Sequence, residues 1–292
     1  CKGNYFYLYI FMDHKKTTPN GKRRNLHFLP FVVYFRDKSK GGLFRGGSLY
    51  FGKKKLSINM AEFIHGNQSI HYELAGVREF RLRTPVLLLH GNGEDMHIFD
   101  NMIAPLLGAK GFVLMDSRMQ GESFSLDGGG EISYSAMADD AAALMDELGI
   151  NEYDIVGYSD GGIIALLMAM KSFKVRRFFT IGANTDPSGL TAKAVREIKT
   201  ALRRANHKGD ERTAALLSMM LNEPHITSHQ LAGIIAEATI ILGKKDTVID
   251  RKHSERIADA IPHGTHVLIE GAGHDVPVTH PGVLSDLVRT LL

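Results

Sequence analysis

Gly157-Tyr158-Ser159-Asp160-Gly161 is the stretch on which the reading of this chain turns. Before it, Tyr153-Asp154-Ile155-Val156 is short and apolar-leaning, as a strand is. After it, Gly162-Ile163-Ile164-Ala165-Leu166-Leu167-Met168-Ala169-Met170 has the character of a buried helix. A serine at a sharp strand-to-helix turn stands clear of the backbone at a helix N-terminus, where free N–H groups can hold an anion. Glycines on both sides suit a strained turn in which a larger side chain would strike neighbouring elements. Five residues can match by chance, so the weight of the motif depends on its surroundings.

Outward from it, strand-like and helix-like segments alternate from residue 60 to the end. Gly66-Asn67 is a hairpin turn signal between 63–65 and 69–73. Strands are expected at 85–90, 111–116, 153–158, 175–181, 238–243 and 266–269. Helices are expected at 95–107, 135–148, 161–171, 251–261 and 281–292. Such alternation predicts an α/β fold with a mostly parallel central sheet flanked by helices. Residues 183–236 break the pattern with helix-like segments near 189–206, 210–221 and 227–235 and no convincing strand between them. They are expected to form a short helical lid inserted late in the sheet, over its C-terminal edge.

The chain has 292 residues, 44% of them hydrophobic, and a single cysteine, Cys1. Intrachain disulfides and thiolate metal sites are therefore excluded. No apolar run approaches the roughly 18–20 residues of a membrane span. A reducing, cytoplasmic compartment is the expectation. The net charge of +3 conceals a division: residues 1–59 hold 13 Lys/Arg against 2 Asp/Glu, whereas residues 60–292 hold 22 against 30. The basic part mixes aromatic runs such as Tyr5-Phe6-Tyr7-Leu8-Tyr9 with Lys/Gly-rich pieces and shows no sustained periodicity. It is expected to be an N-terminal extension outside a catalytic domain spanning 60–292. The acidic character of that domain argues against nucleic acid as its partner.

A serine hydroxyl is a poor nucleophile unless a base takes its proton and a third group orients that base. An acid and a histidine are therefore expected at later strand ends, on the same sheet edge as Ser159. Asp246 follows the strand at 238–243, and His274 follows the strand at 266–269 in Gly271-Ala272-Gly273-His274. Asp186, after the strand at 175–181, is the rival position for the acid. His263 and His266 do not form a metal-ligand pattern, and His90 is expected to anchor its loop through hydrogen bonds. Asp139 and Asp140 read as a solvated helix face.

With these residues in the order Ser, Asp, His, the chain resembles the α/β-hydrolases of the serine esterase/lipase-like superfamily, over roughly residues 60–292. Four blocks carry the likeness: His90-Gly91-Asn92-Gly93, residues 116–123, the 157–161 turn, and the Asp246 and His274 segments. The family's Arg-Gly pair is replaced here by Arg118-Met119. The resemblance implies catalysis by Ser159, His274 and Asp246, with the backbone N–H groups of Asn92 and Asp160 forming an oxyanion hole. It implies a small or medium carboxylic ester as substrate, with no metal or organic cofactor. Lactones, thioesters and C–C bonds lie within reach of the same machinery. A slow or non-catalytic small-molecule receptor on the same fold is the alternative of a different class.

Overall fold

Val86–Leu89, Gly111–Met115 and Tyr153–Tyr158 are strands in which every residue is buried, the pattern of a parallel sheet covered on both faces. The computed structural model of the protein describes residues 34–36, 43–51, 54–77 and 84–290, with side chains from residue 61 onward. In chain order the strands are β1 (Tyr34–Arg36), β2 (Leu43–Phe51), β3 (Lys54–His65), β4 (Gln68–Gly76), β5 (Val86–Leu89), β6 (Gly111–Met115), β7 (Phe124–Ser125), β8 (Tyr153–Tyr158), β9 (Val175–Ile181), β10 (Glu237–Gly243) and β11 (Gly264–Ile269). The α-helices are α1 (Asp100–Ile103), α2 (Tyr134–Glu147), α3 (Asp160–Lys171), α4 (Ala192–Lys208), α5 (Glu211–Asn222), α6 (Ser228–Leu231), α7 (Arg251–Ala260), α8 (Val276–Thr279) and α9 (Pro281–Arg289).

The sheet runs β1-β2-β3-β4-β6-β5-β8-β9-β10-β11, with β7 paired to β4. Strands β6, β5, β8, β9, β10 and β11 are mutually parallel. Strands β1 to β4 are antiparallel, and β4 joins the parallel part through β6. After β6 the chain crosses to the other side of β5 to place β8, so a switch point lies beyond the ends of β5 and β8. In open α/β sheets a crevice opens at such a point, outside the carboxyl ends of the strands.

Two apolar layers clad the sheet. On one face, residues of α2, α3 and α7 such as Met137, Leu144, Ile164 and Ile257 join one cluster. On the other, Phe99, Met102, Val276, Leu284 and Val288 from α1, α8, α9 and the turn before α1 form the second.

The structure departs from expectation in two places. The helix expected over 95–107 is two 3-10 turns flanking the single turn of α1. Pro105 lacks the N–H that a continuous helix would use there. Most of the expected basic extension over 1–59 lies outside the described residues. Second, Asp140 is fully buried: Arg118 Nε and one terminal nitrogen donate to its two oxygens at 2.6 and 2.8 Å, while Asp139 remains exposed. Helices α4, α5 and α6 do fall between β9 and β10, within the span expected for inserted helices.

Candidate active site

Ser159 is held by the turn from β8 into α3. Its φ of 52° and ψ of −114° place a non-glycine residue in a conformation that L side chains rarely adopt. The surrounding structure holds it there. The Ser159 N–H donates to the Ile181 carbonyl at 2.7 Å, and the Ser159 carbonyl accepts from Gly162 N–H at 2.9 Å. The two glycines of the motif are required by space: a Cβ on Gly157 would lie 2.1 Å from the Gly161 carbonyl oxygen, and one on Gly161 would lie 1.9 Å from that of Leu89.

Asn92 follows β5, Ser159 follows β8, Asp246 follows β10 and His274 follows β11, so the parallel register brings all four to one edge of the sheet. His274 Nε2 lies 3.2 Å from Ser159 Oγ, and His274 Nδ1 lies 2.8 Å from Asp246 Oδ2. The other Asp246 oxygen accepts from the N–H groups of Val248 and Ile249 at 2.7 and 3.0 Å. Both oxygens are thus occupied, and the two backbone bonds to Oδ1 pin the carboxylate with Oδ2 toward the imidazole. A carboxylate in this position favours the tautomer with the proton on Nδ1, leaving the Nε2 lone pair for the serine hydroxyl. Tyr158 packs against the imidazole, with ring centroids 5.4 Å apart. Asp186 is employed elsewhere, accepting from Ser188 N–H at 2.9 Å as the cap of a short turn.

The His90–Gly93 turn is fastened from beneath. His90 Nδ1 donates to the Gly91 carbonyl at 2.7 Å, and Nε2 accepts from Ser117 N–H at 2.9 Å. Burial pushes the pKa of this imidazole down, which keeps it neutral and fit to accept. Gly93 N–H donates to Gln120 Oε1 at 2.6 Å. Met119, at the position where the resemblance implies a glycine, adopts a positive φ of 60° within that neighbouring loop. Among the described residues, the N–H groups of Asn92 and Asp160 have no hydrogen-bond acceptor in the protein.

A cavity of about 250 Å³ opens beside Ser159 and His274, walled by Asn92, Glu94 and Tyr158 below and by Ile198 and Met220 of α4 and α5 above. Two carboxyl groups here had no distinct signature in the sequence. Glu94, whose Oε2 accepts from Gly91 N–H at 3.2 Å, has its pKa raised by burial to about 7. Asp160, whose side chain is buried, is raised to about 6, again by burial, with hydrogen bonds from Asn92 and Tyr134 opposing the shift. Glu94 sits on a loop where an acid reads as solvated, and Asp160 occupies the free position of its motif. Among the described residues, no group of three or more His, Cys, Asp or Glu is arranged to hold a metal ion, and no helix is long and apolar enough to cross a membrane.

Comparison with known proteins gives the same architecture. The family model for the alpha/beta hydrolase fold matches residues 84–205, the stretch that includes both the His90–Gly93 turn and the serine turn. The chain has the α/β-hydrolase fold. A Haemophilus influenzae protein named "Putative esterase/lipase" is 20% identical over 277 residues, covering 84% of this chain and 95% of its own length. An esterase from Thermogutta terrifontis superposes with a TM-score of 0.66 at 20% identity, over 80% of this chain and 97% of that one. A meta-cleavage product hydrolase from Pseudomonas fluorescens superposes with a TM-score of 0.64 at 19% identity, over 79% of this chain and 96% of that one.

Proposed function

We propose that this protein is a serine hydrolase that cleaves small and medium carboxylic esters through an acyl-enzyme. The observation that carries this reading is the hydrogen-bonded line from Ser159 through His274 to Asp246, seated on a strained turn at the floor of a cavity. Ser159 Oγ attacks the ester carbonyl as its proton passes to His274 Nε2. The C=O electron pair moves onto oxygen, and the resulting anion is held by the free N–H groups of Asn92 and Asp160. Collapse expels the alcohol, which takes the proton from Nε2 and leaves the acyl group on Ser159. Water then repeats the sequence, with His274 as its base, and releases the carboxylic acid. Asp246 holds the imidazole and stabilises its cationic form throughout.

The test is labelling with a fluorophosphonate, read by mass spectrometry, together with turnover of p-nitrophenyl esters, a lactone and a thioester. The folded protein is expected to take one label at Ser159, and Ser159→Ala to lose both label and turnover. Asp246→Asn should lower kcat by roughly 10⁴-fold, while Asp186→Asn stays near the parent value. Folded protein that takes no label at Ser159 would refute the proposal, and a large loss confined to Asp186→Asn would move the acid.

A further inference from the structure

The mechanism above uses only the backbone N–H of Asp160, yet its side chain is the more unusual feature. The residue is 3% exposed, and its two oxygens have different partners. Oδ2 accepts from Asn92 Nδ2 at 2.8 Å, and Oδ1 accepts from the Tyr134 hydroxyl at 2.9 Å. Among the described residues no lysine or arginine pairs with it. A buried carboxylate with neutral partners alone costs several kcal/mol in desolvation, so its use here calls for a reason other than stability.

That reason lies in what the two bonds join. Asn92 sits on the turn after β5, and Asp160 is the first residue of α3. The turn is tied outward to the loop after β6 through His90, Gly93 and Gln120. The Asn92–Asp160 bond ties it inward, to the helix that presents Ser159. Tyr134 braces the same carboxylate from the N-terminus of α2, where its own N–H donates to Glu223 Oε2 at 3.1 Å at the end of α5. We infer that the Asp160 carboxylate is a positioning residue for the oxyanion hole, fixing the distance between the Asn92 and Asp160 amides by gripping the Asn92 side chain. The inference rests on the reading of Ser159 as nucleophile. A donor works only when it lies about 2.7–3.1 Å from where the oxyanion forms. A drift of the order of 1 Å in a positioned group can cost about 10²-fold. The charge exists only in the transition state, so the loss should appear in kcat and not in KM.

The experiment measures kcat and KM for p-nitrophenyl butyrate in the wild type, Asp160→Ala, Asn92→Ala, the double variant and Asp160→Asn. Active sites are counted by the endpoint of fluorophosphonate labelling, so misfolded protein does not enter the rate. Each alanine variant is expected to lose about 10–100-fold in kcat with KM within about threefold of the parent. The double variant should be no worse than the poorer single one, because both remove the same bond. Asp160→Asn should recover most of the loss: its Oδ1 still accepts from Asn92, and the Tyr134 hydroxyl can turn to accept from its Nδ2. A clamp serving stability alone would lower Tm without moving kcat per labelled site, and that result would overturn the inference. So would an Asn92→Ala enzyme with normal kcat, or losses that multiply in the double variant. A wild type that takes no label would overturn the nucleophile reading and this inference together.

Discussion

Glu94 stands at the rim of the cavity, where partial burial withholds water from its carboxyl and raises its pKa from 4.5 to about 7. The raised value has a definite consequence for stability. Between the two pKa values the unfolded chain has released its proton while the folded protein still holds it, so stability falls as pH rises through this window and levels off above it. Asp160 acts in the same direction between 3.8 and about 6. Glu94→Gln removes the titration while keeping an oxygen to accept from Gly91 N–H. A shift of this size corresponds to at most about 3 kcal/mol, and solvent screening at a partly exposed side chain reduces it to ~1–2 kcal/mol. The variant should therefore melt about 2–6 °C above the parent at pH 8, with the gap closing near pH 4. Thermal unfolding across that range decides it: equal melting at pH 8, or an equal gain at pH 4, would rule out the buried acid as the cause.

At the scale of elements, the residue just after β9 lies against the histidine. Gly182 has a φ of +65°, and a Cβ there would lie 2.8 Å from His274 Cε1 and 2.9 Å from its Nδ1. Gly182→Ala is expected to cost about 1 kcal/mol in the backbone and to push the imidazole out of line. Ester turnover should fall at least about tenfold while the protein still folds; full activity would mean that the histidine can move without penalty. The strands beside the serine turn were legible as short, mostly apolar stretches between helix-like segments: β8 and β9 have the bounds expected from the sequence, although Asp154, Arg176 and Arg177 interrupt them. Ser159, Asp246 and His274 were expected after strand ends, and each follows one: β8, β10 and β11. Which acid meets His274 was not legible, since Asp246 and Asp186 both follow a strand, and only the packed loops turn one toward the imidazole and leave the other capping a turn. Asp140 was misread for a related reason. Its neighbour Asp139 is exposed on the same helix, and the guanidinium that neutralises it comes from Arg118, 22 residues earlier in the chain.

Across the whole molecule, the proposed esterase reading implies that substrate selection falls to the segment between β9 and β10, which supplies Ile198 and Met220 to the cavity wall. Leu190 and Ile198 of that segment pack with Leu242 of β10 and Ile249 beyond it, so a small apolar cluster joins the inserted segment to the end of the sheet. Ile198 and Met220 project from this layer into the wall of the cavity. At about 250 Å³, the cavity is just below the roughly 300–1,000 Å³ typical of sites for drug-sized ligands. On the proposed ester reading, a short acyl chain is expected to fit such a space and a longer one to reach Met220. Removing or adding a single methylene in an apolar pocket shifts specificity by about 10–200-fold. Met220→Ala is therefore expected to raise kcat/KM for p-nitrophenyl octanoate relative to the butyrate by about tenfold or more. Met220 is only partly buried, so the change should leave the fold intact. Phe173, 85% exposed between α3 and β9, supplies the control, since Phe173→Ala removes an apolar side chain that lines no part of the site. An unchanged octanoate-to-butyrate ratio in Met220→Ala, or the same change in both variants, would mean that chain length is selected elsewhere than under α5.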